Sequence, residues 1–527
     1  MKKILFVFLI MLLIMPSGVR ANINIEDTEV IYYNEWEIDK VTPIARQLLE
    51  KDKLAPEEEW FLGLFYFYQG EYNNALKHMT NAREKVPDST EWNSFASFVK
   101  KTADIARGFS RYESEHFILR LDKKDDILVE YALSVLEKGY KEIGNDLDFY
   151  PEAKILVEIY PTSEGFNVAS SLSKRDMEVS GAIGICKFNR LMIVSPRCMA
   201  FGYRWMDSLV HEYTHFVVNI KSNGKCPLWL HEGIAKFEEQ RWRGKYGNEY
   251  LTPVHRSLLR EAIDKDALIS FERMSPSLVK LQSQKEVTLA FAEASSAVGS
   301  LVKSSGEAVL ANMLDAFREG GNYHKIIEDV TDKPYARFEK DWINFIEDMN
   351  PERNSALIMD SFKLRDDTKD YDMQEYVDET LRTHVRLGDA FKKRGKFLPA
   401  LSEYRKALVK QTHSPAILNR MGKVHIELGN LDKAQEYFKK AIATSPNYVS
   451  SYTNLAELYF NEKNMSKALE YYEESNQINP FNPIIHKNMG LIYNAKDKEK
   501  AKREWKITEK LSPQDFEVKS WLMHMGE

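Results

Sequence analysis

Small residues recur at a fixed interval near the C-terminus: Gly388, Gly422, Ala456 and Gly490 stand 34 residues apart, as do Ala400, Ala434 and Ala468. The aromatics Tyr404, Phe438 and Tyr472 keep the same interval, Ala407 and Ala441 follow three positions later, and Pro446 and Pro480 close two of the units. Small residues where two helices cross let their backbones approach, and a Pro at the end stops the second helix, so the period predicts a stack of antiparallel helix pairs. Such stacks build an extended concave surface.

This pattern resembles the tetratricopeptide repeat over roughly residues 381–515, in about four units. The last is shortened, since Ala501 and Pro513 fall 33 residues after Ala468 and Pro480. One further copy lies near the N-terminus, where Gly63, Tyr66, Ala75, Ala82 and Pro87 repeat the mutual offsets of Gly422, His425, Ala434, Ala441 and Pro446. With helical segments at about 41–53 and 91–109, it predicts a small tetratricopeptide-like helical domain over 22–110. The C-terminal repeats contain no acid, base or metal-ligand cluster, and the resemblance implies that they bind a protein partner.

The first 21 residues have a different character. Lys2 and Lys3 precede an unbroken apolar run from Ile4 to Met15, which ends at Pro16-Ser17-Gly18 before Ala21. This order predicts a secretory signal peptide over 1–21, because 12 apolar residues are too few to cross about 30 Å of hydrocarbon. No Cys follows the run to accept a lipid, and no later run reaches membrane-spanning length. The expectation is a protein exported to the bacterial periplasm or cell exterior, without a stable transmembrane segment after cleavage. Lys and Arg total 73 against 79 Asp and Glu, with no long basic stretch, so no nucleic-acid footprint is indicated. The three cysteines, Cys186, Cys198 and Cys226, are too few for a disulfide framework and lack the spacing of a zinc ribbon. The sequence does not choose a pair among them.

Between the two helical regions the texture changes. His116 to Leu121 and Lys154 to Tyr160 alternate as strands do, and Asp126 to Leu147 has helical period. Gly181 to Lys187 and Arg190 to Val194 read as a hairpin-like pair around Phe188-Asn189, and from about Arg204 onward the pattern is helical. Strands followed by helices predict an α+β domain over 111–350. Asn350-Pro351-Glu352-Arg353-Asn354 and the acidic stretch Asp366 to Asp372 read as a linker over 351–380, ahead of the repeat domain at 381–527.

The chemistry is concentrated in His211-Glu212-Tyr213-Thr214-His215. Residues four apart project from one helix face, so both imidazoles can bind one metal, with Glu212 beside them as general base; zinc is the expected ion. Leu209-Val210 and Phe216-Val217-Val218 flank the motif, and no Gly or Pro interrupts 205–220, which makes it a polar stripe on a buried helix. Val218 and Lys221 stand where a metzincin would need Gly and His. Instead, Ser222 to Pro227 breaks the helix, and a second begins with Leu228-Trp229-Leu230-His231-Glu232-Gly233-Ile234-Ala235.

Residues 111–350 resemble the peptidase MA-like domains of bacterial exported proteins, gluzincins related to thermolysin and aminopeptidase N, in which H-E-x-x-H is followed by W-x-x-E-G-x-A. The resemblance implies an α+β, thermolysin-like metallopeptidase domain flanked by all-α tetratricopeptide-type domains. It implies one zinc per chain held by His211, His215 and Glu232, with Glu212 as general base in hydrolysis of a protein or peptide substrate. Gly181-Ala182-Ile183-Gly184 resembles the edge strand that holds extended substrate. Related aminopeptidases carry a Glu there for the substrate's free α-ammonium, and none stands in Gly181 to Ile185, so an endopeptidase is expected. Tyr246, Tyr250 and His255 are each eligible to stabilise the oxyanion. His231 adjoins Glu232 but points about 100° away on a helix and is not expected to share its ion. Glu238 and Glu239 read as a solvated helix face, although Glu239 shares the side of Glu232. The alternative is a non-catalytic tetratricopeptide scaffold whose protease-like domain binds without cutting.

Overall fold

The computed structural model describes residues 38–525 except 176, 178–180, 245–250, 276–277, 279–280, 282, 350, 352–378 and 412. The expected signal peptide and nearly all of the expected linker lie outside the described residues. The chain divides into two units: one holds residues up to Val194 together with Asp207–Pro351, the other Ser195–Met206 together with residues from Glu352 onward. The helices of residues 38–106 thus share a unit with the sheet domain that follows them.

In the first unit, helices α1 (Ile38–Leu49), α2 (Pro56–Tyr68), α3 (Tyr72–Lys85) and α4 (Thr90–Ala106) precede the sheet. Local chemistry starts two of them: the Ala55 backbone N–H donates to Glu58 at 2.7 Å, and Ser89 accepts from Trp92 N at 3.3 Å. A methyl group on Gly63 would lie 2.6 Å from Met79 Cγ, so α2 and α3 meet at the small residue that the repeat pattern singles out.

Five strands follow: β1 (Phe109–Glu113), β2 (Phe117–Asp122), β3 (Ile155–Tyr160), β4 (Gly184–Lys187) and β5 (Arg190–Val194), in the spatial order β1-β2-β3-β5-β4. β2, β3 and β5 run parallel, while β1 and β4 are antiparallel to their neighbours and form the edges. The expected strands and the hairpin at Phe188-Asn189 are present, and both turn residues have positive φ, 58° and 57°, as a two-residue hairpin requires. β1 corrects the sequence reading, which ran the preceding helix to 109. The predicted edge segment is also shorter, since β4 begins at Gly184.

Glu158, in the middle of β3, is fully buried; Tyr72 and Tyr160 donate to its carboxylate at 2.7–2.9 Å, and Arg120 lies 3.4 Å away. Arg190 donates to the Tyr72 hydroxyl in turn. This satisfied network ties α3 to β2, β3 and β5, where an unpaired buried carboxylate would be costly.

The further helices of eight residues or more among this unit's described residues are α5 (Val129–Leu147), α6 (Ser163–Ser170), α7 (Trp205–Ser222), α8 (Leu228–Glu238), α9 (Pro253–Asp264), α10 (Gln284–Ser305), α11 (Val309–Glu319), α12 (Tyr323–Thr331) and α13 (Tyr335–Asp348). Residues of α7 from Asp207 on belong to it. Among the described residues no helix is long and apolar enough to cross a membrane, and no disulfide joins Cys186, Cys198 or Cys226.

The second unit is an array of helix pairs: α14 (Glu379–Lys393) with α15 (Phe397–Lys410), α16 (Pro415–Glu427) with α17 (Leu431–Thr444), α18 (Val449–Asn461) with α19 (Met465–Ile478), α20 (Pro483–Tyr493) with α21 (Lys498–Leu511), and then α22 (Phe516–His524). In three of the units the small residue meets a ring on the second helix. Gly388 faces Tyr404, Gly422 faces Phe438 with 2.5 Å for an added methyl, and Gly490 faces Trp505. The last spacing is one residue shorter, which matches the shortened fourth period. Ser195–Met206 packs into this unit, where Tyr203 N–H donates to Ile478 O at 3.0 Å and Arg204 pairs with Glu474 at 2.8 Å.

Candidate metal centre

α7 presents His211 and His215 on one face, and α8 brings Glu232 to them across the break at Ser222 to Pro227. Glu232 Oε2 lies 3.7 Å from His211 Nε2 and 3.4 Å from His215 Nε2. One donor atom from each of the three lies within 4.8 Å of the others. A tetrahedral zinc with bonds of about 2.0–2.2 Å sets neighbouring donors about 3.3–3.6 Å apart, so two imidazoles and a carboxylate at these distances fit that ion.

The second half of the motif has a packing explanation. Trp229 is buried and stacks on Phe271 at 4.1 Å, anchoring the start of α8. A methyl group on Gly233 would lie 2.6 Å from the Ala294 carbonyl oxygen of α10, so α8 approaches the α10 backbone directly and Ala235 is buried beside it. Glu232 is thereby held on a helix pinned before and after it.

Glu212 faces the edge strand. It is buried, one carboxylate oxygen has no hydrogen-bond partner among the described residues, and the Cys186 backbone N–H of β4 donates to the group. Burial raises its pKa above the ordinary carboxylate range, an effect that the neighbouring imidazoles oppose. Without a metal, burial acts to lower His211, but Glu232 and Glu239 outweigh it and hold the imidazole at about 10. Burial alone would raise Glu232; the two histidines override it and keep its carboxyl well below the usual range.

His231 is not among the three gathered residues. Its ring lies flat on His215, with centroids 4.4 Å apart and 14° between planes, and burial pushes its pKa down to about 3, so it is neutral. The solvated-face reading of Glu238 and Glu239 is corrected, because both are buried. Glu238 is enclosed beside Arg241 and Asp146, and Glu239 lies 3.5 Å from His211 Nδ1. The helical spacing from Glu232 to Glu239 was the available signal. His255 is buried in the first turn of α9, where its backbone N–H meets the Thr252 side chain at 3.3 Å. Tyr246 and Tyr250 lie outside the described residues.

Two family models match parts of the chain. Residues 142–348 match the family described as Peptidase MA superfamily, and residues 413–478 match the tetratricopeptide repeat. No curated protein matches the chain. Among solved structures the chain is similar to MamA from Desulfovibrio magneticus RS-1, with 19% identity over 28% of this chain and 85% of that one and a TM-score of 0.26. It is also similar to pilF of Pseudomonas aeruginosa, with 22% identity over 27% and 64% of the two chains and a TM-score of 0.25. A thermophilic TPR protein in Thermus thermophilus shares 24% identity over 27% and 79%, with a TM-score of 0.24. The chain carries a Peptidase MA superfamily domain, in which the two histidines and the following glutamate converge, together with tetratricopeptide repeats.

Proposed function

We propose that this protein is an exported zinc metallopeptidase that cuts within peptide chains, and that its repeats bind a protein partner. The observation that supports it most is the convergence of His211, His215 and Glu232 from two helices, with the buried Glu212 beside them. His211, His215 and Glu232 would hold the ion. When bound, zinc polarises a carbonyl and lowers the pKa of water from about 15.7 toward about 7.

The protein's own groups do the rest. Glu212, raised by burial, is closer to neutral pH than an ordinary carboxylate and so is suited both to take a proton from the attacking water and to return it to the leaving nitrogen. The Cys186 N–H fixes the carboxylate's direction. β4 is a sheet edge whose residues, Gly184-Ile185-Cys186-Lys187, include no carboxylate to pair with a free α-ammonium. An internal segment can add its backbone to such an edge without that cost, which favours endopeptidase action.

Zinc content, measured together with hydrolysis of an unfolded casein-like substrate by the parent and by Glu212→Gln, tests the reading. Equal hydrolysis by the two proteins would refute the role of Glu212. The scaffold alternative draws on the length of the repeat array, and a zinc-loaded parent that cuts no unfolded substrate would favour it. Mass spectrometry of products from N-terminally blocked and unblocked peptides tests the mode of cutting, and stepwise loss of single residues from the unblocked peptide alone would overturn it.

A further inference from the structure

The two nitrogens of His211 face two different carboxylates. Nε2 lies 3.7 Å from Glu232 Oε2, and Nδ1 lies 3.5 Å from Glu239 Oε2, within a small ring rotation of hydrogen-bond length. Seven residues are two helical turns, so Glu239, which caps the C-terminus of α8 with helical backbone angles, projects to the same side as Glu232. Glu239 is 8% exposed. Lys236 pairs with its other oxygen, which leaves Oε2 for the imidazole.

His215 is oriented differently. Neither Nδ1 makes a full hydrogen bond among the described residues, but that of His211 has the Glu239 carboxylate 3.5 Å away, whereas the His215 ring is fixed by stacking on His231. A ring that ligates a metal through Nε2 keeps its proton on Nδ1, and an acceptor at that nitrogen sets both tautomer and direction. We infer that Glu239 is the positioning residue for His211, presenting Nε2 to the metal by accepting a hydrogen bond from Nδ1–H. This rests on the zinc reading above.

Zinc affinity measured by chelator competition on the full chain tests it, with Glu239→Gln, Lys236→Met and His211→Ala beside the parent. Glu239→Gln should weaken zinc binding about 10- to 100-fold, the range for loss of such a partner. It should also shift the visible absorption of the cobalt-substituted protein. Lys236→Met breaks the same ion pair but leaves the carboxylate on Nδ1, so it should bind zinc as the parent does. If Lys236→Met weakens zinc as much as Glu239→Gln, the carboxylate only braces α8 and the inference is overturned. Unchanged zinc affinity in Glu239→Gln, with binding lost in His211→Ala, overturns the Glu239 role and leaves the metal site standing. A parent that binds no zinc overturns both. Should Glu239→Gln fail to fold, Glu239→Asp keeps the charge but withdraws it by one methylene, and unchanged affinity in that variant counts equally against the inference.

Discussion

Gly184 of β4 and Glu212 of α7 touch so closely that a methyl group on the glycine would lie 2.5 Å from the carboxylate Oε1. The edge strand therefore holds the proposed base from two directions, through this contact and through the Cys186 N–H. Gly184→Ala should push Glu212 aside without touching His211, His215 or Glu232. A displacement of about 1 Å at a reacting group can cost on the order of 10²-fold in rate, so peptide hydrolysis should fall by about that much while zinc content stays at one per chain. Parent-like turnover in this variant would mean that the carboxylate's position does not matter.

Removing a ligand and removing the base should have different signatures. His215→Ala takes one of three protein donors and should lose stoichiometric zinc in a metal assay. Glu212→Gln keeps the donors and should retain zinc while losing about 10²- to 10⁴-fold in hydrolysis, the usual scale of general acid–base catalysis. A His215→Ala protein that still carried one zinc would contradict the ligand set.

Gly233 is the packing counterpart of Gly184. Its neighbour is the Ala294 backbone carbonyl at 2.6 Å from an added methyl, and a backbone atom cannot swing away as a side chain would. Gly233→Ala should force α8 off α10 and destabilise the protein by about 1–3 kcal/mol, with weaker zinc binding because Glu232 moves with its helix. Thermal melting with and without zinc checks this; a melting curve like the parent's in both states would rule it out.

The helix pairs were legible because their small and aromatic residues are the ones in contact: the 16-residue offset from Gly422 to Phe438, which recurs from Gly388 to Tyr404 one 34-residue period earlier, is the geometry of the crossing itself. The gathering of three side chains was legible for a similar reason, since His211 and His215 share a helix face and the break before Leu228 returns the chain with Glu232 at the front of the next helix. β1 was not legible. Its five residues, Phe109 to Glu113, are an edge strand with no fully buried position, so they carry little hydrophobic alternation and follow a helix without a strong stop signal. Glu238 and Glu239 were misjudged because periodicity gives the side of a helix and not what covers it. Arg241 and Asp146, which enclose Glu238, come from a turn beyond α8 and from α5. The Cys186 N–H on Glu212 is a backbone interaction between a strand and a helix, which no side-chain pattern encodes.

The metal-free site should respond to pH in a direction that zinc reverses. His211 is raised from an ordinary 6.5 to about 10, with burial opposing the shift and Glu232 and Glu239 outweighing it. A histidine whose folded pKa exceeds its unfolded value stabilises the folded state fully below the unfolded pKa, and that contribution fades as pH rises through the folded one. Metal-free protein should therefore melt at progressively lower temperature from about pH 6.5 to about pH 10. Zinc needs the neutral imidazole, so its apparent affinity should rise across the same interval, and binding at pH 7 should release about one proton from His211. Titration calorimetry in two buffers of different ionisation enthalpy counts that proton, and His211→Gln, which lacks the group, should flatten the melting trend of the metal-free form. A pH-independent melting temperature in the metal-free parent, or zinc uptake with no proton released, would show that His211 is neutral before the metal arrives.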